Sequence, residues 1–247
     1  MFEAWAYSLA SVIAVSVVSL VGILFFSVNQ KTLKNMLPYA VSFSAGALFG
    51  DAFIHLLPEA VEKNGFGLMV SIYILCGIIL SFIVEKVIHW RHCHFPSEHK
   101  HSFALMNLYG DAIHNFIDGL IIAASYLASI PVGIATTLAV VFHEIPQEIG
   151  DFGVLVQGGF SKKKALLFNF AVSLTAIIGA VFALLLNNAI PATNAFLIPF
   201  AAGGFIYIAG SDLIPELHKE VEVKKSVLQL ATFVLGILVM VALLSLG

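Results

Sequence analysis

Residues 131–157 read PVGIATTLAVVFHEIPQEIGDFGVLVQ. The stretch is long enough to cross a bilayer, which takes about 20 mostly apolar residues as a helix. Its second half nevertheless carries His143, Glu144, Gln147, Glu148 and Asp151. Wound as a helix, these five fall on an arc of about 140°, a polar stripe on an otherwise apolar surface. The preceding run, 103–127, repeats the pattern, with Asp111, His114, Asn115 and Asp118 within about 100°. Ionisable residues at mid-bilayer cost at least roughly 2.5–3.5 kcal/mol each, so they face a bundle interior or a wet path. Only Ile130-Pro131 and a few neighbours separate the two runs. As antiparallel neighbours they bring His114 to Asp118 and His143 to Gln147 to the same depth.

The rest of the chain sets the class. Of 247 residues 60% are hydrophobic and 11% charged, against about 25% charged in soluble domains. The expectation is an all-α integral membrane protein in a plasma or inner membrane. A net charge of −3 leaves no basic stripe for nucleic acid. Cys76 lies in an apolar run and Cys93 in a polar loop, so no disulfide framework is indicated. Eight spanning runs can be marked: 4–27, 36–58, 66–88, 103–127, 131–157, 164–187, 195–217 and 225–246. The first, with Glu3 as its only early charge, reads as a retained helix rather than a signal peptide. Lys31, Lys34, Lys86, Arg91, Lys100, Lys162, Lys163, Lys164, Lys219, Lys224 and Lys225 all fall between spans on one side, and only Lys63 on the other. Short basic loops stay cytoplasmic, which places both termini outside.

The chain also echoes itself. AG at 45–46 and HLLPE at 55–59 reappear as AG at 202–203 and DLIPE at 212–216, at a constant offset of 157. HNFIDG at 114–119 and HEIPQE at 143–148 are again alike. In this orientation each pair crosses in opposite directions, the pattern of an inverted repeat with a polar site at its interface.

The chemistry of the two stripes suits a metal ion. Imidazole nitrogens with carboxylate and amide oxygens suit Zn²⁺, Fe²⁺ or Mn²⁺, whereas the thiolates that favour Cu(I) are absent. His114 and Asp118, like His143 and Gln147, are spaced i and i+4 and can point two donors at one ion. Pro146 frees a carbonyl one turn earlier and predicts a bend at the site. Asp51 and His55 are candidates for an outer entrance or for an interfacial pair, Asp212 and Glu216 for an exit or for a plain cytoplasmic helix end. Asp111, Glu148 and Asp151 are further residues of the path or supports of the ligands. The loop 89–102 carries His89, His92, His94, His99 and His101, a tract that can bind metal or serve as a solvated linker.

These residues resemble the ZIP (Zrt/Irt-like) metal transporters. HNFIDG and HEIPQEIGDF (143–152) are similar to that family's fourth- and fifth-helix motifs, and GDAFIHLLPEA (50–60) and SDLIPEL (211–217) to its second and seventh helices. The resemblance implies eight helices in a 3+2+3 arrangement forming a single transmembrane domain over 1–247. It further implies extracellular termini and metal influx toward the cytosol. The metal ligands it implies are His114, Asn115, Asp118, His143, Glu144 and Gln147, where Gln147 stands in place of a histidine of the branch's HEIPHE motif. Zinc is the expected substrate, with Fe²⁺, Mn²⁺ and Cd²⁺ as competitors. No resident cofactor and no enzymatic activity are expected. The expected partners are metal ions and lipid, with a homodimer left open. Two other readings compete. An intramembrane metalloprotease would use His143-Glu144 as a truncated H-E-x-x-H, from which Gln147 removes a ligand. A metal-gated channel or sensor would use the same stripes without carrying.

Overall fold

A computed structural model describes residues 2–23, 30–93, 100–189 and 193–246. They fold as helix throughout, with no strand among the described residues, in eight rods. Rod α1 is Phe2–Val18, tightened into a 3₁₀ turn over Ser19–Ile23. Rod α2 joins Gln30–Gly50, a π-helical turn Asp51–Leu56, and Leu57–Asn64. Rod α3 is Leu68–Cys93, α4 Lys100–Ala128 and α5 Ile130–Gln157. Rod α6 joins Lys162–Ser173 to Thr175–Ala189. Rod α7 joins Thr193–Tyr207, a second π-helical turn Ile208–Leu213, and Ile214–Leu217. Rod α8 is Val223–Leu243. Helix ends follow the expected signals: the Ser129 side chain accepts from the Val132 amide ahead of Pro131 in α5, and Ser161 caps Lys164 in α6.

Rods α1, α2, α3, α6, α7 and α8 each contain a stretch long and apolar enough to cross a membrane. Rods α4 and α5, at 29 and 28 residues, are as long as the longest of these, but the polar stripes dilute their hydropathy. The continuity of three rods differs from the smooth spans expected over 36–58, 164–187 and 195–217. The first and third contain π turns, and the second is broken at Leu174. A π turn inserts one residue, and hydropathy carries no mark of such an insertion. Residues 94–99 lie outside the described residues, as do the side chains of His89, His92 and His101. The expected His-rich loop therefore has no structural account.

The internal echo reaches the backbone. The two π turns, Asp51–Leu56 and Ile208–Leu213, are 157 residues apart at both ends. Rod α2 packs along α8, and α3 along α7, with matching close approaches. A Cβ on Gly46 would lie 2.0 Å from the Phe233 carbonyl oxygen, and one on Gly203 2.0 Å from that of Ile74. Gly77 against Phe200 and Gly236 against Phe43 repeat the relation at 2.1 and 2.2 Å. Only glycine permits such contact, the device by which apolar helices gain packing where no hydrophobic effect drives them together. The Ser16 hydroxyl of α1 donates to the Ser173 carbonyl of α6 at 2.9 Å, and the Ser173 hydroxyl lies 3.2 Å from the Ser16 carbonyl. These partners are also 157 apart. Rod α4 lies between α5 and α6, and α5 also packs on α1 and α2. The polar stripes of α4 and α5 thus meet inside the bundle. Large apolar side chains such as Leu75, Ile79 and Phe82 of α3 and Leu235 and Leu238 of α8 stay exposed, as a lipid-facing surface requires.

Candidate metal site and its cavity

Where α4 crosses α5, four side chains converge. Nε2 of His114 and Nε2 of His143 are 3.1 Å apart. His114 Nε2 lies 3.5 Å from Asp118 Oδ2 and 3.4 Å from Glu144 Oε1. His143 Nε2 lies 3.2 and 3.7 Å from the same two oxygens. All four atoms fall within 4.8 Å of one another. A tetrahedral zinc ion with bonds of about 2.0–2.1 Å has ligand–ligand edges of about 3.3–3.4 Å. Five of the six edges here scatter closely about that value. Asp118, His143 and Glu144 are fully buried, and both Asp118 oxygens and Glu144 Oε1 have no hydrogen-bond partner. Buried carboxylate oxygens left unpaired are costly. Two of them facing two imidazole nitrogens form a donor set that a dication would satisfy in charge and in number.

The local sequence explains the convergence. In α4, His114 and Asp118 are one turn apart and point the same way. In α5, His143 and Glu144 sit in the turn that precedes Pro146, buried inside the helix. Nδ1 of His143 lies 3.2 Å from the Ala139 carbonyl. That bond uses the Nδ1 proton and leaves the Nε2 lone pair free for a metal, the usual way a ligating histidine is oriented.

The other expected ligands stand differently. Asn115 is buried and turned aside: its Nδ2 donates to the Asp111 carboxylate at 2.7 Å and to the Asp111 carbonyl at 3.1 Å. Gln147 is half-buried and lines a cavity of about 210 Å³ that reaches the site from one side. His114, Asp111, Asp151, Asp212, Glu85 and Tyr207 share its wall. Asp151 accepts from Asn107 Nδ2 at 2.8 Å, and Tyr207 donates to Glu85. Glu148 is fully buried with neither oxygen partnered, and its main-chain carbonyl accepts from Asn169 of α6. Asp51 and His55 lie on the opposite side of the site. Asp51 accepts from Thr136 of α5 at 2.9 Å, and His55 Nε2 lies 2.9 Å from the Met240 carbonyl of α8. Thr136, Asn107 and Tyr207 carry no local sequence signature. Each acts through a partner dozens of residues away, which no local spacing reveals.

Comparison with known proteins agrees with this geometry. The family model described as ZIP Zinc transporter matches residues 2–104 and 92–244. The chain is 33% identical to zinc transporter zipt-7.1 of Caenorhabditis briggsae, over 87% of this chain and 70% of that protein. It is 34% identical to zinc transporter ZIP13 of Pongo abelii, over 81% of this chain and 65% of that protein. With zinc transporter SLC39A7 of Homo sapiens it shares 28% identity over 96% of its own length and 70% of that protein. The chain thus spans about two thirds of the length of these relatives. It belongs to the ZIP zinc transporter family, as a multi-pass membrane protein of a transporter family rather than an enzyme.

Proposed function

We propose that the chain carries a divalent transition metal, zinc above all, toward the cytosol through the His114–Asp118–His143–Glu144 cluster. The observation that carries this reading is the near-tetrahedral spacing of two nitrogens and two carboxylate oxygens in a buried place. Two carboxylates offset the charge of a dication, and two neutral imidazoles complete its coordination. Zinc is cargo on this reading, not a resident cofactor. Fe²⁺, Mn²⁺ and Cd²⁺ suit the same donors and would compete.

On this reading all eight rods span, in a 3+2+3 inverted repeat forming one domain, with both termini outside. The lysine and arginine distribution supports that orientation. The cavity past Gln147 then faces the cytosol, and Asp51 and His55 lie on the outer side. Asn115 and Gln147 serve the ion as it moves rather than holding it at rest. Asp111, Asp151, Asp212 and Glu85 line its way out. The closed packing of α2 on α5 on the outer side favours a carrier over an open channel. The test is uptake into proteoliposomes holding purified protein, with Zn²⁺, Fe²⁺, Mn²⁺ and Cd²⁺ in competition. Saturable zinc uptake lost in His114→Ala and His143→Ala is the expected result, and uptake unchanged in both would remove the site.

A further inference from the structure

Pro146 has no N–H, so the carbonyl one turn back, on Phe142, loses its helical donor. That carbonyl belongs to the peptide unit leading into His143, and its orientation fixes where the His143 and Glu144 side chains begin. The turn is buried: Pro146, His143 and Glu144 are all shielded from solvent. A carbonyl left unpaired there would carry a desolvation cost. A donor arrives from another helix. The Ser44 hydroxyl of α2, itself fully buried, lies 2.5 Å from the Phe142 carbonyl oxygen. It also lies 2.8 Å from its own helix's Ala40 carbonyl. A hydroxyl has one proton, and the shorter distance assigns it to Phe142. The neighbouring ring of Phe43 packs edge-on against Phe142, at 4.8 Å between centroids.

We infer that Ser44 is a positioning residue for the metal site: it supplies from α2 the hydrogen bond that Pro146 removes from α5. It thereby holds the turn that presents His143 and Glu144. Ser44 touches no metal ligand atom and acts only through the backbone. The inference rests on the site proposed above.

Serine alone is a good reading of helix packing, since small hydroxyls commonly fit between helices. Coupling to Pro146 separates the two roles. Full-length protein, purified and reconstituted, is assayed for zinc uptake and for equilibrium Zn²⁺ binding. With Pro146 in place, Ser44→Ala is expected to weaken zinc binding about tenfold, the size of one lost buried hydrogen bond. Pro146→Ala returns an N–H to the Phe142 carbonyl, and in that background Ser44→Ala is expected to change binding less than about twofold. Equal losses in the two backgrounds would overturn the inference. Ser44→Thr and Ser44→Val, alike in shape and differing in the hydroxyl, give a second arm independent of Pro146. Thr is expected to bind zinc more tightly than Val, and the two behaving alike would also overturn it. His114→Ala and His143→Ala are measured alongside. If those bind zinc like wild type, the site itself is wrong. If they lose zinc and the Ser44 variants do not, only the role of Ser44 falls.

Discussion

The two sides of the His114–His143 cluster are built from matching helices and look unlike. On the side of Asp51 the wall between α2 and α5 is closed. Asp51 is tied to Thr136, Ser44 to the Phe142 carbonyl, and Phe43 lies on Phe142. On the side of Asp212 a cavity of about 210 Å³ is lined by residues from His114 to Asp212. Equivalent residues of the repeat show the contrast most sharply. His55 and Asp212 are 157 apart. His55 is buried against the Met240 carbonyl, whereas Asp212 is exposed on the cavity wall. If the chain is the carrier proposed above, two unlike sides on matching helices are what one state of alternating access would present, and a second state would exchange the surroundings of His55 and Asp212.

The cluster lies between the two sides, so its loss should have the largest effect. Removing either imidazole leaves three of the four ligand groups, with two buried carboxylates facing a single nitrogen. His114→Ala and His143→Ala, and Asp118→Ala with them, are each expected to bring zinc uptake down to the background of empty liposomes. Expression at the membrane is checked by surface labelling. Wild-type uptake in the two histidine variants would mean that the path runs elsewhere and that the contrast between the halves has nothing to do with transport.

The contrast itself can be broken by accessibility. In a background with Cys76 and Cys93 replaced by serine, cysteines at Asp212 and at Thr136 report the two sides. Asp212→Cys is expected to react with a soluble thiol reagent at least about tenfold faster, since ~1.4 kcal/mol of opening free energy already gives that factor. Similar rates would mean that the closed wall opens freely. On intact cells an impermeant reagent should label Asn188→Cys and spare Lys163→Cys. The reverse would invert inside and outside while leaving the asymmetry in place.

Much of this was legible in sequence, for physical reasons. The spans show themselves because lipid demands about 20 apolar residues each. The polar stripes of α4 and α5 stand out because lipid penalises every exception, and four residues they supplied, His114, Asp118, His143 and Glu144, do converge. The echo at offset 157 located both π turns without revealing that they are π turns. A one-residue insertion leaves hydropathy unchanged. The turning of Asn115 toward Asp111, the Ser44 bond and the Thr136 bond depend on neighbours from distant rods. Which side is closed likewise depends on packing between distant rods.

Intermediate effects belong to the closed wall. Asp51 and His55 lie away from the four ligand atoms and are held by Thr136 and by the Met240 carbonyl. Asp51→Ala and His55→Ala are expected to lower uptake by about tenfold or less, the scale of a lost buried hydrogen bond, and to leave equilibrium zinc binding near wild type. A loss as complete as that of His114→Ala would move the binding site outward and merge the two regions that the structure keeps apart.

The smallest effect is expected at Gln147, on the open side. It follows His143 by one turn and lines the cavity next to His114, so on the proposed direction of transport it would meet the ion as the ion leaves. An amide oxygen is a weak, uncharged ligand, whereas an imidazole nitrogen is a strong one for zinc. Gln147→His therefore adds a good donor beside a set of four that is already complete. Equilibrium zinc affinity should rise by less than the roughly tenfold that outer groups supporting a metal typically contribute. Conduction also needs binding loose enough to let go. The maximal uptake rate should therefore fall while half-saturation moves to lower zinc. Both constants come from one set of uptake curves. A rise in affinity with no fall in maximal rate would show that release past Gln147 is not limiting. A fall in both would place Gln147 among the resting ligands, with the amide preferred there to an imidazole.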